Sequence, residues 1–230
     1  MLFRYVVHRL DQPVEGLLVF ALTQEAAGKL TKQLAGGSLN KQYYAAVSGK
    51  LSHRQGTLVD YLIKTKDNMA QVVTGKESSY SDAKKAVLHY KILEETLMPI
   101  GAECRMGQAE AAVPGAEQIG LADITIETGR FHQIRCQMAN AGMPLLGDLK
   151  YGKAKRSADS EKTPEGDQGS AAAAAMKPGP GPVIRNVALC AYKLVFQHPV
   201  TGKRMSYEIS PENPAFEMFS GNNFGCNCLY

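Results

Sequence analysis

The chain has no long apolar run, and its start lacks the pattern of a secretory signal peptide. None of its hydrophobic stretches approaches the roughly 18 residues that a membrane-spanning helix requires. The first residues lead directly into structured-looking sequence, without successive basic, apolar and small-residue regions. We therefore expect a cytoplasmic protein that does not associate with a membrane.

Cysteine is scarce and shows no pairing pattern. The chain has five cysteines, an odd number, and most of them lie in apolar surroundings. This favours reduced thiols over a disulfide framework. Cys226 and Cys228 are separated by one residue and no second Cys/His pair lies nearby, so the sequence does not predict a zinc site, and we expect no metal. The other cysteines are Cys104, Cys136 and Cys190.

The basic excess is small. Lys and Arg number 26 against 22 Asp and Glu, which gives a formal net charge of +4. This balance permits a phosphate-rich partner without requiring one, because the placement of charges matters more than their sum. At 230 residues the chain can form one good-sized core, or one core with tails, and we expect a monomer.

Short strand-like segments outnumber helices. Thr23 is a plausible N-cap for a helix that carries Leu30 and Leu34 on one face and ends at Gly36. A second, shorter helix is predicted over 131–140. This mixture is typical of an α+β domain. The predicted strands cover 19–22, 41–47, 58–63, 71–74, 86–93, 121–127, 187–196 and 205–209.

Two internal segments and the C-terminus have few core-forming residues. Residues 99–118 are rich in Gly and Ala and are expected to form a surface loop or hairpin extension. Residues 154–182 are rich in Lys, Ser, Glu, Gly and Pro, which indicates a disordered insertion. We expect one domain over 1–210, interrupted by this insertion, followed by a tail over 211–230.

Two clusters of polar residues carry the chemical signal. Asp11 lies between a basic pair and a Pro/Gly turn, directly before an apolar run, and Arg130 and Arg135 lie in a second cluster. A lone acid beside arginines suggests a carboxylate held ionised next to a polyanion, and hence chemistry on nucleic acid. Taken alone, Asp11 also fits a turn residue whose carboxylate binds nearby backbone amides.

Five segments, in order, resemble the motifs of the RluA-type RNA pseudouridine synthases. The resemblance implies a bent, mixed and mostly antiparallel sheet flanked by helices and loops, with a cleft across its middle. It also implies that uridine in ribosomal or transfer RNA is isomerised to pseudouridine without a cofactor. The matching segments are 8–11 followed by Gly16, 41–45, 127–135, 147–152 and 198–202.

The resemblance assigns three catalytic residues. Asp11 is implied to start the reaction at the ribose C1′ or at the uracil ring. Burial alone would raise the pKa of this acid, so a close cation is needed, and the resemblance selects Arg135 for that ion pair. Tyr43 is implied to stack on the target base and to serve in removing the proton from C5. Strand alternation places Tyr43 and Tyr44 on opposite faces, so only one of them can line the cleft.

Seven further residues are expected to contact the RNA, and several have an alternative structural role. Arg9 holds the flipped nucleotide or is a phosphate-contacting or solvated surface residue. Ile134 packs against the uracil or belongs to the ordinary core. His132 lines the cleft or makes a structural hydrogen bond. Arg130 is expected on the RNA side of the cleft, and Lys41 at a phosphate, as are Lys150 and Lys153.

Two departures from the family pattern bear on the function. Val14 and Glu15 replace a polar pair, and Glu15 adds negative charge near the expected path of the RNA. Family members also have a longer segment before the central motif, whereas Asp11 here lies close to the start. That difference raises an alternative, a catalytically impaired RNA-binding protein of the same fold.

Overall fold

The computed structural model describes residues 4–49, 51–74, 81–99, 116–152, 184 and 186–219. Most of the predicted loop at 99–118, the predicted insertion at 154–182 and the end of the predicted tail lie outside these residues. Lys153, Cys104, Cys226 and Cys228 also lie outside them. Cys136 and Cys190 are buried thiols that form no disulfide.

The described residues form a mixed sheet with two α-helices, which confirms the predicted α+β class. The strands are β1 (Tyr5–Val6), β2 (Glu15–Gly16), β3 (Phe20–Ala21), β4 (Asn40–Ser48), β5 (Gln55–Lys64), β6 (Ala70–Val73), β7 (Lys84–Pro99), β8 (Ala116–Ile126), β9 (Leu189–Gln197) and β10 (Arg204–Glu208). The hydrogen-bonded order in the main sheet is β10-β9-β4-β8-β7-β5-β6, with β2 also paired to β9, while β1 and β3 form a separate pair. All of these pairings are antiparallel except that of β2 with β9.

Both faces of the central strands are covered. On one face Tyr43 packs in a core cluster with Ile134 and Met138 of helix α2 (Gln133–Asn140). On the other face Tyr44 packs against a second cluster and stacks on Tyr192, with ring centroids 3.7 Å apart. The predicted separation of the two tyrosines is therefore confirmed, and Tyr43 lies on the face that carries α2.

Helix α1 (Gln24–Ala35) agrees with its prediction, but the strand before it does not. Thr23 caps the helix by accepting a hydrogen bond from the Ala26 N–H at 3.2 Å, and Gly36 is the C-cap. The strand predicted over 19–22 is only the two residues of β3, and Leu22 is 62% exposed. Among the described strands β3 pairs only with β1, so the run meets the main sheet through side chains: Ala21 is buried in a cluster with Leu194 and Phe196 of β9. In the described part of the chain, no helix is long and apolar enough to cross a membrane.

The core continues past residue 210, where the sequence suggested that a tail begins. A 3₁₀ helix (Pro214–Met218) buries Phe216 in the second cluster, and Phe219 is buried beside it. The Glu15 carboxylate accepts hydrogen bonds from the backbone N–H groups of Glu212 at 3.1 Å and Asn213 at 3.2 Å. Glu15, whose charge we expected near the path of the RNA, therefore anchors this segment, and we propose that the domain extends to Phe219.

Parallel pairing holds the segment after Asp11 against β9. The Leu17 N–H donates to the Ala191 carbonyl at 2.9 Å, and Gly16 lies opposite Ala191 in the ladder. Gly16 has φ +137°, and a Cβ at this position would lie 2.5 Å from the Ala191 Cβ. Only glycine fits this conformation and this close approach without strain. Gly16 therefore allows the segment after Asp11 to pack closely against β9.

Replacing Gly16 by Ala is expected to lower the free energy of unfolding by about 2–4 kcal/mol, from backbone strain and overpacking. Gly28, inside α1, is the matched control because a Cβ there would meet nothing within 4 Å. Gly28→Ala is expected to raise stability by about 0.5–1 kcal/mol, since alanine is the better helix former. Urea unfolding compares the two variants, and equal effects at both positions would contradict this account of Gly16.

Candidate active site

Asp11 lies in a turn that is held at both ends. The Val14 N–H donates to the Asp11 carbonyl at 2.8 Å. Before the turn, buried His8 accepts a hydrogen bond at Nε2 from the Val19 N–H at 3.3 Å, which requires a neutral imidazole. Burial, together with the charge of Lys41, lowers the pKa of His8 to about 4, so this bond persists at neutral pH. The turn therefore presents Asp11 from a fixed backbone.

Burial and nearby cations shift the pKa of the Asp11 carboxyl in opposite directions. Its side chain is 31% exposed, and burial raises its pKa above the ordinary aspartate value. The charges of Arg135, Lys150 and Lys41 oppose this rise without cancelling it. Within the described residues the carboxylate accepts no hydrogen bond, and His132 Nε2 lies 4.0 Å from Oδ2. The site thus holds a desolvated acid in a positive field.

A buried ion pair joins helix α2 to the turn at 147–152. Arg135 Nε donates to Asp148 Oδ2 at 2.7 Å, and Nη2 donates to Oδ1 at 2.8 Å. Arg135 is 2% exposed and Asp148 is 4% exposed. Burial opposes ionisation of Asp148, but the bonds and charge of Arg135 and the backbone N–H groups of Tyr151 and Lys150 lower its pKa. The pair is therefore charged at neutral pH.

This geometry corrects the expected partner of Arg135. The sequence suggested a direct ion pair with Asp11, whereas two nitrogens of the guanidinium bind Asp148 and its charge reaches Asp11 through space. Gly147 allows the arrangement, because it has φ +72° and a Cβ there would collide with the Asn186 carbonyl. Arg135 Nη1 is buried without a hydrogen-bond partner in the described part of the chain. One buried donor thus remains available.

Tyr43 and Ile134 form one wall beside Asp11. Tyr43 is 5% exposed and Ile134 is 6% exposed, and both belong to the cluster against which Leu10 and Val14 pack. Burial, and then the charge of Asp11, raise the pKa of Tyr43 well above its ordinary value. The phenol is therefore neutral at all ordinary pH values.

Lys41 lies deeper than a simple phosphate contact. It is half-buried on β4, and burial lowers its pKa, while the charge of Asp11 opposes that shift. Arg9 and Arg130, by contrast, are exposed. Arg130 is held by a hydrogen bond from its Nε to the Lys85 carbonyl at 2.9 Å. The structure thus brings Lys41 to Asp11 and leaves the two arginines at the surface.

His132 was expected to line the cleft or to make a structural hydrogen bond, and the structure shows a buried ring with a hydrogen-bond partner. It is 6% exposed, and its Nδ1 lies 2.8 Å from the Tyr151 hydroxyl. Burial first, and then the charges of Arg135 and Lys150, lower the pKa of His132 to about 4. A neutral, buried ring cannot be a surface phosphate contact, so its role must involve its protein neighbours.

Two residues of this site, Asp148 and Tyr151, were not predicted as site residues. Both lie in the segment 147–152, which was noted only as a matching motif. The closeness of an aspartate and a tyrosine in this motif was the available signal. It was not sufficient, because their partners Arg135 and His132 lie elsewhere in the chain. In the described residues, no group of three or more His, Cys, Asp or Glu could hold a metal ion.

Removing one partner of the buried ion pair is expected to destabilise the fold strongly, whereas removing both partners is expected to destabilise it much less. Arg135→Met and Asp148→Leu are each expected to lower the free energy of unfolding by about 3–5 kcal/mol, because each leaves an unpaired buried charge. The double variant is expected to lose much less, since apolar groups of similar volume replace both charges. Urea unfolding at pH 7 measures the cycle, and Glu25→Gln, which breaks an exposed pair with Lys29, is the control. Additive losses would contradict the coupling.

Asp11→Asn is expected to stabilise the fold at pH 7. An acid whose pKa is raised on folding binds its proton more tightly in the native state, so its ionisation destabilises that state. The gain should be present above the raised pKa of Asp11 and should disappear as pH falls below its ordinary value. Urea unfolding between pH 8 and pH 3 measures it, with exposed Asp67→Asn as the control. A variant that is less stable than wild type at pH 7 would contradict this prediction.

Comparison with known proteins identifies the family. A family model described as RNA pseudouridylate synthase matches residues 4–140. A tRNA pseudouridine synthase C from Vibrio vulnificus (strain CMCP6) is 33% identical over 152 residues, which cover 66% of this chain and 56% of the relative. A ribosomal large subunit pseudouridine synthase D from Zymomonas mobilis is 31% identical over 206 residues, covering 88% and 51%. The chain spans about half the length of these relatives.

Solved structures agree at the level of the fold. Human RNA Pseudouridylate Synthase Domain Containing 1 superposes with a TM-score of 0.61 at 17% identity, covering 91% of this chain and 69% of that one. The corresponding Domain Containing 4 protein gives 0.59 at 16% identity. Since the family model matches more than half of the chain, the protein belongs to the RNA pseudouridylate synthase family, as its RluA-type motifs indicated.

Proposed function

We propose that this protein isomerises specific uridines to pseudouridine in ribosomal or transfer RNA, using Asp11 and no cofactor. The observation that carries the proposal is the Asp11 carboxyl, partly buried beside Tyr43 and within the field of Arg135, Lys41 and Lys150. Relatives named for tRNA and for the large ribosomal subunit support the two RNA classes. We also propose that the protein acts in the cytoplasm as a monomer.

The reaction requires a carboxylate in a site that excludes most water. The bond between ribose C1′ and uracil N1 breaks, the base turns and C5 bonds to C1′; the proton on C5 then leaves to solvent, and N1 takes up a proton. The target nucleotide must leave its stack to reach a partly buried acid. Asp11 starts these steps as the carboxylate, at C1′ or at the uracil ring. Arg135 supports it through its charge, and its unpaired buried Nη1–H is available to Asp11 when RNA closes the site.

Tyr43 serves as a neutral contact for the base. Its raised pKa opposes the proton removal that the resemblance implied, because a phenolate beside the Asp11 charge is strongly disfavoured. The ring edge and hydroxyl of Tyr43, with Ile134 next to it, offer an apolar wall with one polar group. Such a wall fits a flipped uracil, which has a π face and polar edges.

Exposed basic residues supply affinity for the RNA backbone. Arg9 and Arg130 lie at the surface, and Lys150 is exposed in the turn that carries Asp148. Contacts from such residues to phosphate position RNA without reading its sequence. Lys41 is set deeper, next to Asp11, where it acts on the reacting carboxylate and the nearest phosphate.

The experiment is tritium release from C5-labelled uridine in bulk ribosomal and transfer RNA. The wild-type chain is expected to release tritium, and Asp11→Ala to lower the rate by at least about 10³-fold, as for other catalytic nucleophiles. Asp67→Asn, an exposed acid, controls for the change in charge. RNA binding, measured by filter retention, should survive in Asp11→Ala.

The outcomes separate the proposal from its alternative. Binding without release by folded wild-type protein would overturn the proposal in favour of an RNA-binding protein that has lost catalysis. Release that persists in Asp11→Ala would remove Asp11 from the chemistry. The names of the relatives give that alternative no support.

A further inference from the structure

The His132 ring is held on several sides. Phe131 stacks on it with centroids 3.9 Å apart and planes at 21°, and Tyr151 meets it edge-on at 5.6 Å and 89°. Its backbone has φ +50°, and although it is the N-cap of α2, its side chain makes no capping hydrogen bond. A left-handed non-glycine residue is uncommon and costs of order 1–3 kcal/mol. The surrounding contacts therefore fix this ring at the expense of local strain.

A chain of hydrogen bonds links the His132 ring to the backbone of β6. The Ala70 N–H donates to the Tyr151 hydroxyl oxygen at 2.7 Å, because an amide N–H can only donate. The hydroxyl proton is then free to go to His132 Nδ1, 2.8 Å away, which is the acceptor near it in the described part of the chain. A hydroxyl that donates to Nδ1 leaves the proton of the neutral ring on Nε2.

The other ring nitrogen lies near the Asp11 carboxyl. His132 Nε2 lies 4.0 Å from Asp11 Oδ2, about 1 Å beyond hydrogen-bond distance. Hydrogen bonds of an active site are often long before substrate binds and shorten in the complex. The Asp11 carboxylate accepts no hydrogen bond in the described residues, so a movement of about 1 Å would make Nε2 its hydrogen-bond partner.

We propose that His132 and Tyr151 are positioning residues for Asp11: Tyr151 fixes the imidazole with its Nε2–H directed at Oδ2, and RNA binding closes this gap into a hydrogen bond. The inference rests on the proposed function and extends it to two residues. The bond would orient the carboxylate without adding a charge, since the ring is neutral. The charged or titratable groups that surround His132 are Asp11, Lys64, Arg135, Asp148, Lys150 and Tyr151.

The first test needs no RNA, and its main outcome is read from the wild-type chain. Nitrogen-15 NMR of the imidazole nitrogens of the wild-type chain is expected to show His132 neutral at pH 7, with its proton on Nε2. In Tyr151→Phe, which keeps the ring but removes the hydroxyl donor, both tautomers should appear. A wild-type proton on Nδ1, or a charged ring, would overturn the inference even if Tyr151→Phe failed to fold.

The second test uses single-turnover tritium release with bulk RNA across pH 5–9. Tyr151→Phe is expected to lower the rate constant about 10–100-fold, as loss of an orienting partner does in other sites. Its RNA affinity is expected to stay unchanged, and the acid limb of its pH–rate profile is expected to move to higher pH. Tyr207→Phe, an exposed tyrosine on β10, is the matched control. A Tyr151→Phe profile that superposes on wild type would overturn the inference. Absence of release in wild type would overturn the proposed function instead, while the NMR result would stand.

Discussion

The buried pair of Arg135 and Asp148 is the interaction on which the site depends. It connects helix α2 to the turn at 147–152 through two hydrogen bonds of 2.7 and 2.8 Å. The same carboxylate accepts the backbone N–H groups of Lys150 at 3.0 Å and Tyr151 at 3.1 Å. One acid therefore fixes both the cation that acts on Asp11 and the turn that presents Tyr151 to His132. Loss of either partner would leave an unpaired buried charge and loosen all of these positions.

Asp11 itself is a compromise between two requirements. A carboxylate that reacts with a flipped nucleotide has to be withdrawn from water, and burial disfavours its charged form. The cations near it restore part of that charge, but none within the described residues binds it directly. Two nitrogens of Arg135 bind Asp148, so its charge acts on Asp11 through space.

Local patterns in the sequence predicted the features that depend on local physics. Alternation along β4 separated Tyr43 from Tyr44, and the capping residue Thr23 located the start of α1. Such patterns do not identify contacts between distant segments. The motif resemblance selected Arg135, but its partner follows from the meeting of a helix with a later turn. Phe216 was missed because its 3₁₀ segment is too short to show a period and is buried only by tertiary packing.

The most direct test of this account is a carbon-13 NMR titration of the Asp11 carboxyl, in wild type and in Arg135→Met/Asp148→Leu. The account predicts that Asp11 titrates above the ordinary aspartate value in wild type, because burial outweighs the surrounding cations. It predicts a higher value still in the double variant, because the favourable charge of Arg135 outweighs the unfavourable charge of Asp148. An Asp11 that titrates at or below the ordinary value in wild type, or whose titration is unchanged by loss of the pair, would contradict it.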